Sequence, residues 1–278
     1  MTSDVSMSFG ASTFSFIRQE SALDSMRRLR RTGYRRFDVL AVPGHLWPAE
    51  LSGSARTDLR RALERDDIVV ESINPQPIDL NVGSCLQEVR EHSVSIYSDA
   101  IRLATEIGAR GVVVVPGRVA IALPPRAEDT LRWTVDSIAA LSQVAREAGL
   151  EALLLENHPS TGFPTAVAMC ELVDHVGADN VKVAYDVANA EYLGEDQIQA
   201  IKLLGNRLGQ THLSDGEPGR WAHDRPGRGA VRFHEILGEL DAIEFVGTNI
   251  VEIVSQEPLA DYLNAAETLG IELSSSTS

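Results

Sequence analysis

Short apolar runs rich in β-branched residues alternate with longer amphipathic stretches, and the alternation repeats eight times along the chain. The spacing predicts strands over Met7–Ala11, Arg36–Val42, Ile68–Ile73, Gly111–Val115, Ala152–Glu156, Val181–Asp186, Gln210–Leu213 and Thr248–Ile253. Runs such as Val112-Val113-Val114-Val115 and Leu153-Leu154-Leu155 are apolar without a break, as expected of strands buried on both faces of a parallel sheet. Helices are predicted over Ser84–Gly108, Arg126–Gly149, Thr165–Val176, Glu195–Leu204, Arg232–Leu240 and Pro258–Leu269, where apolar residues recur every three to four positions. Gly33, Gly108 and Gly149 follow helical patterns where a left-handed cap would sit.

Eight strand–helix units suit either a closed (β/α)8 TIM barrel or an open doubly wound sheet. No G-x-G-x-x-G follows an early strand, so the dinucleotide fingerprint is missing. Polar residues cluster at the C-terminal ends of many strands, where a barrel gathers its active site. The α/β class with a single-domain TIM barrel over residues 1–278 is therefore expected. A length of 278 residues is ordinary for one such domain, and no low-complexity linker divides it. Only the small, polar ends (residues 1–6, or as far as Ser8, and 274–278) look flexible.

Charge and cysteine content narrow the function classes. Forty acidic against 25 basic residues give a formal net charge of −15, unfavourable for binding phosphodiester backbones, so no nucleic-acid partner is expected. Cys85 and Cys170 form no short-range pair, as suits a reduced compartment. No stretch reads as a signal peptide or is long enough to span a bilayer, so a cytoplasmic protein without a membrane partner is expected.

The last four strands each finish on a potential metal ligand: Glu156, Asp186, His212 and Glu252. Neighbouring parallel strands lie about 4.8 Å apart, so ligands at matching depth can converge on one ion. A lone carboxylate or histidine at such a place is usually structural. Four together, each after apolar residues, would be costly to bury without a cation. Three carboxylates and one imidazole form a hard donor set suited to Mn²⁺ or Mg²⁺ and tolerant of Co²⁺ or Zn²⁺.

The motifs Glu156-Asn157-His158-Pro159, Asp186, His212-Leu213-Ser214-Asp215, Pro226-Gly227-Arg228-Gly229 and Val251-Glu252-Ile253 resemble the sugar phosphate isomerase/epimerase group of xylose isomerase-like barrels. The resemblance covers nearly the whole chain and is specific for the superfamily rather than for a substrate. It implies a divalent-metal-dependent isomerase or epimerase of a small polyhydroxylated ketone, sugar or cyclitol. One metal ion would polarise a hydroxy-ketone, and Glu156 and Glu252 would exchange protons on opposite faces through an enediolate. It also raises a homo-oligomer as an option, since relatives are often dimers or tetramers. Asn189 departs from the pattern, because many relatives carry histidine three residues after the strand-six aspartate; a second metal is thereby disfavoured. Asn74 and Pro116 stand where an AP endonuclease needs histidines.

His158, Asn189, Trp221, His223, Arg225 and His45 are candidate substrate contacts, with Arg228 as a weaker one. Phe14, Phe16, Trp47 and Asn74 are candidates for the pocket lining, whereas His92, His175 and His234 lie in helical patterns and read as structural. A lyase on the same metal scaffold, with His158 or His223 as acid, is the main alternative. A non-catalytic partner subunit and an AP endonuclease-like enzyme follow behind.

Overall fold

The computed structural model describes residues 7–75, 79–119 and 122–274, so most of both expected loose ends lies outside the described residues. Eight parallel strands close into a barrel: β1 (Ser8–Ser12), β2 (Arg36–Ala41), β3 (Val69–Pro75), β4 (Gly111–Val114), β5 (Ala152–Glu156), β6 (Val181–Asp186), β7 (Leu208–Leu213) and β10 (Thr248–Val251). The expected strands are all present, with ends shifted by two residues at most. Between β7 and β10 an antiparallel hairpin is interposed, β8 (Asp215–Glu217) with β9 (Arg220–Asp224), which the periodicity did not reveal.

The helices are α1 (Ala22–Arg30), α2 (Gly53–Arg65), α3 (Gln87–Ile107), α4 (Ala127–Ala148), α5 (Ala166–Val176), α6 (Val187–Leu193), α7 (Gln197–Leu204), α8 (Phe233–Ala242) and α9 (Pro258–Leu269). Gly149 takes φ +77° after α4, the left-handed cap that its position suggested. Among the described residues no helix is long and apolar enough to cross a membrane.

Side-chain alternation along the strands sets the chemistry of the two faces. On β5, Leu153 and Leu155 join the main core with residues of the surrounding helices, whereas Leu154 meets Val113 and Ala184 in a separate small cluster. Each fully buried leucine stabilises the fold by about 1.5–3 kcal/mol. Glu156 shares the parity of Leu154, Asp186 that of Ala184, and His212 that of Gln210. The same alternation that packs the helices onto the sheet therefore leaves these polar groups at the barrel's C-terminal mouth.

Candidate metal centre

Register brings the candidate ligands level. Asp186 pairs with His212 across β6 and β7, and Ile250, two residues before Glu252, pairs with His212 across β10 and β7. Glu156, Asp186, His212 and Glu252 are all buried, and each offers a ligand atom within 4.8 Å of the others. His212 Nδ1 lies 3.0 Å from Glu156 Oε1 and 3.3 Å from Glu252 Oε2. Asp186 ends β6 and also caps α6, where its Oδ1 accepts the Asn189 backbone N–H at 2.7 Å. Its other oxygen, Oδ2, is fully buried and has no hydrogen-bond partner.

An orphaned buried carboxylate oxygen is costly, and a cation beside it would remove that cost. The hard, oxygen-rich donor set fits one divalent metal ion.

The field within the cluster agrees. Burial, reinforced by Glu156 and Glu252 and partly offset by His223, raises the Asp186 carboxyl to about 7. Burial alone would depress His212, but Glu252 and Glu156 outweigh it and hold the imidazole well above its usual range. Glu252 goes the opposite way: burial would raise it, and His212 draws it down. Asp38, in mid-strand on β2, is fully buried beside Asn74, and burial, reinforced by Glu252 and Glu156, pushes its pKa well up.

A cavity of about 430 Å³ opens above the cluster, with Glu156 and Glu252 in its lining. Phe14, Leu40, Val115 and Val254 give it an apolar side, while Asn74, Arg118, His158 and His223 add polar groups. The rings of Trp221 and His158 meet edge to face at 5.0 Å, and His223 Nδ1 comes within 3.7 Å of Asp186 Oδ2 and 3.8 Å of Glu252 Oε2. His158 Nδ1 accepts the Ser160 backbone N–H at 3.1 Å, so the hydrogen of the neutral ring resides on Nε2. Burial favours that neutral form by lowering the pKa.

Of the candidate contacts, His158, Asn189, Trp221 and His223 line this cavity. Asn189 does so with its amide committed: Nδ2 donates to the Asn157 carbonyl and Oδ1 accepts the Trp221 indole N–H at 2.7 Å. It therefore holds Trp221 rather than standing open for a hydroxyl. Arg225 is not in the lining and pairs with Asp261 on α9 at 3.2 Å. His45 is buried instead, its ring nitrogens bound to the Glu20 carbonyl and the Thr13 hydroxyl. Phe16 stacks on Tyr262 in the core, and Trp47 packs against that core. Sequence reasoning passed over Leu40, Val115, Arg118 and Val254 in the cavity, and Asp38 and Gln210 inside the barrel. For Gln210 and Asp38 the available signal was strand parity.

A family profile described as xylose isomerase-like TIM barrel matches residues 26–271. The chain is 24% identical over 272 residues to the uncharacterized protein MJ1311 of Methanocaldococcus jannaschii, covering 92% of this chain and 89% of that one. It is 24% identical over 180 residues to an inosose dehydratase of Geobacillus thermodenitrificans, covering 55% and 60% of the two chains. A solved structure of a D-tagatose 3-epimerase-like protein superposes with a TM-score of 0.82 over 95% of this chain and 98% of that one, at 22% identity. D-psicose and L-ribulose 3-epimerases share the fold as well. With the closed barrel and the profile match over most of its length, the chain belongs to the xylose isomerase-like TIM barrel family.

Proposed function

We propose that the protein is a metal-dependent epimerase or isomerase of a small polyhydroxylated ketone, sugar or cyclitol. One observation carries the reading: two carboxylates of a buried four-ligand cluster, Glu156 and Glu252, also face the cavity in which a substrate of that size would sit. Glu156, Asp186, His212 and Glu252 would hold one divalent ion, Mn²⁺ or Mg²⁺ by donor hardness. When bound, that ion supplies Lewis acidity that makes the C–H next to a carbonyl acidic.

The chain's own groups divide the remaining work. Glu156 and Glu252 enter from β5 and β10, which are not adjacent in the barrel, so one would remove a proton from one face of the carbon and the other return it to the opposite face. His158 presents Nε2–H as a hydrogen-bond donor. Trp221 offers an indole ring to the C–H face of a sugar. The similarity to sugar epimerases of the same fold supports this assignment of substrate class.

A dehydratase reading is favoured by the His158 donor, which could protonate a departing β-hydroxyl, and by the partial similarity to an inosose dehydratase. A panel of ketoses, hydroxypyruvate and inososes, incubated with the Mn²⁺-loaded protein in deuterated water, separates the readings by proton NMR. Stereochemical inversion with deuterium incorporation supports the epimerase. An unsaturated, ultraviolet-absorbing product supports the dehydratase, and no exchange with any substrate rejects both.

A further inference from the structure

The segment after β7 carries a carboxylate that the proposed chemistry leaves unused. Asp215 is 1% exposed, yet no cationic side chain pairs with it among the described residues. Its oxygens are consumed by backbone amides from both ends of the following loop. Oδ1 accepts the N–H groups of Gly216 at 3.0 Å and Val231 at 3.1 Å, and Oδ2 those of Gly227 at 2.8 Å and Arg228 at 2.9 Å. Hydrogen bonds to a carboxylate are stronger than neutral ones, and four on one buried group make a firm closure. The Ala230 N–H adds a bond to the Gly216 carbonyl at 2.8 Å. Gly229 is required there, since a Cβ would collide with the Gly216 carbonyl and with Asp215 Oδ1.

What this closure encloses is the β8–β9 hairpin, which carries both Trp221 and His223. From the hairpin the Trp221 indole reaches Asn189, and His223 Nδ1 lies 3.0 Å from the Ser214 hydroxyl. The His223 carbonyl in turn accepts the Val254 N–H at 2.9 Å. A hairpin of two short strands is marginally stable by itself. Its ordered position over the cavity must come from such ties.

We infer that Asp215 is a positioning residue: its carboxylate clasps the loop after β7 and so fixes Trp221 and His223 as one wall of the cavity, without contributing to metal affinity. Asp215→Asn keeps the shape but replaces one acceptor oxygen with an N–H pointing at backbone N–H groups. Gly229→Ala attacks the same clasp from the other side.

Hydrogen exchange over residues 216–231 should accelerate at least about tenfold in both variants, while the core strands keep their protection. Mn²⁺ affinity by calorimetry should stay within about threefold of the parent. With whichever substrate the exchange screen identifies, KM should rise more than kcat falls. Only this last measurement rests on the proposed function; exchange and Mn²⁺ binding test the clasp even if no ketose turns over. Unchanged exchange in the loop would overturn the inference, as would a loss of Mn²⁺ affinity in step with it. Loss of a cooperative thermal melt in both variants would also count against it, making Asp215 a residue of general stability.

Discussion

Gln210 Nε2 lies 2.9 Å from His212 Nε2, on the side of the imidazole facing away from the carboxylates. The Ser72 hydroxyl donates to Gln210 Oε1 at 3.2 Å and accepts from its Nε2 at 3.1 Å. If His212 offers Nδ1 to a cation, its Nε2 carries the hydrogen and needs an acceptor. The carboxamide supplies one with its oxygen turned to the ring, and a hydroxyl can satisfy the amide in either orientation. Gln210→Leu should therefore weaken divalent-metal binding by about 10–100-fold in calorimetry, with Gln210→Glu weakening it less. Equal affinity in the leucine variant would show that His212 needs no such support.

Metal loading followed by elemental analysis should return one tightly held divalent ion per chain. The cluster offers four candidate ligands, while Asn74 and Asn189 bring amides rather than imidazoles to the cavity lining. Two or three retained zinc ions would contradict the single-ion site.

Exchange of carboxylate for amide should separate binding from proton transfer. Glu156→Gln and Glu252→Gln keep one ligand oxygen each and should retain most of the metal while losing about a hundred- to ten-thousand-fold in turnover. Asp186→Asn and His212→Ala should fail first in metal affinity. If Glu252→Gln still exchanges substrate protons at the parental rate, only one base operates and the dehydratase becomes the better account.

Metal affinity should depend on pH through Asp186, whose pKa is raised to about 7 by burial and by its acidic neighbours. Below that value the metal-free carboxyl holds a proton that the ion must displace. The His212 imidazole, also held protonated by its carboxylate neighbours, gives up a second proton, so affinity should fall by more than about tenfold per pH unit on acidification below about 7 and still rise somewhat above it. The linkage to folding has the matching sign. A carboxyl whose folded pKa exceeds its unfolded value favours folding at low pH, and that advantage fades as pH rises towards about 7. Metal should therefore raise the melting temperature more at pH 8 than at pH 5.5. A constant gain across that range would mean that Asp186 is already ionised in the metal-free protein.

The candidate cluster was legible because Glu156, Asp186 and Glu252 each follow apolar residues at the mouth-facing end of a strand, and parity aims them inwards; His212, after Gln210-Thr211, is marked only by being a histidine near the end of β7. The wall opposite was not. Leu40, Val115 and Val254 are apolar residues at strand ends, indistinguishable by sequence from core positions until closure of the barrel leaves them facing a void. Helix α1 shows in the sequence only through the pattern before Gly33, without bounds, although Ala22, Ser25, Met26 and Leu29 form a buried stripe; its arginines dilute the apolar signal. Helix α6 has only seven residues, too few for periodicity to register, and its start on Asp186 was hidden in the ligand. The β8–β9 hairpin escaped because Asp215 holds the surrounding loop through backbone amides, which leave no pattern in side-chain polarity.

Of the four residues on the apolar side of the cavity, Phe14, Leu40 and Val115 come from the first half of the barrel and Val254 from the second, where all four metal-binding candidates lie. Much of the apolar lining thus lies on a different stretch of the chain from the metal-binding candidates, while Trp221, His223 and Val254 share the second half with them. Enlarging or shrinking Leu40 or Val115 would reshape what fits without moving a carboxylate. A barrel built this way can change what it admits while keeping its carboxylates in place, with Leu40 and Val115 as the first positions to alter.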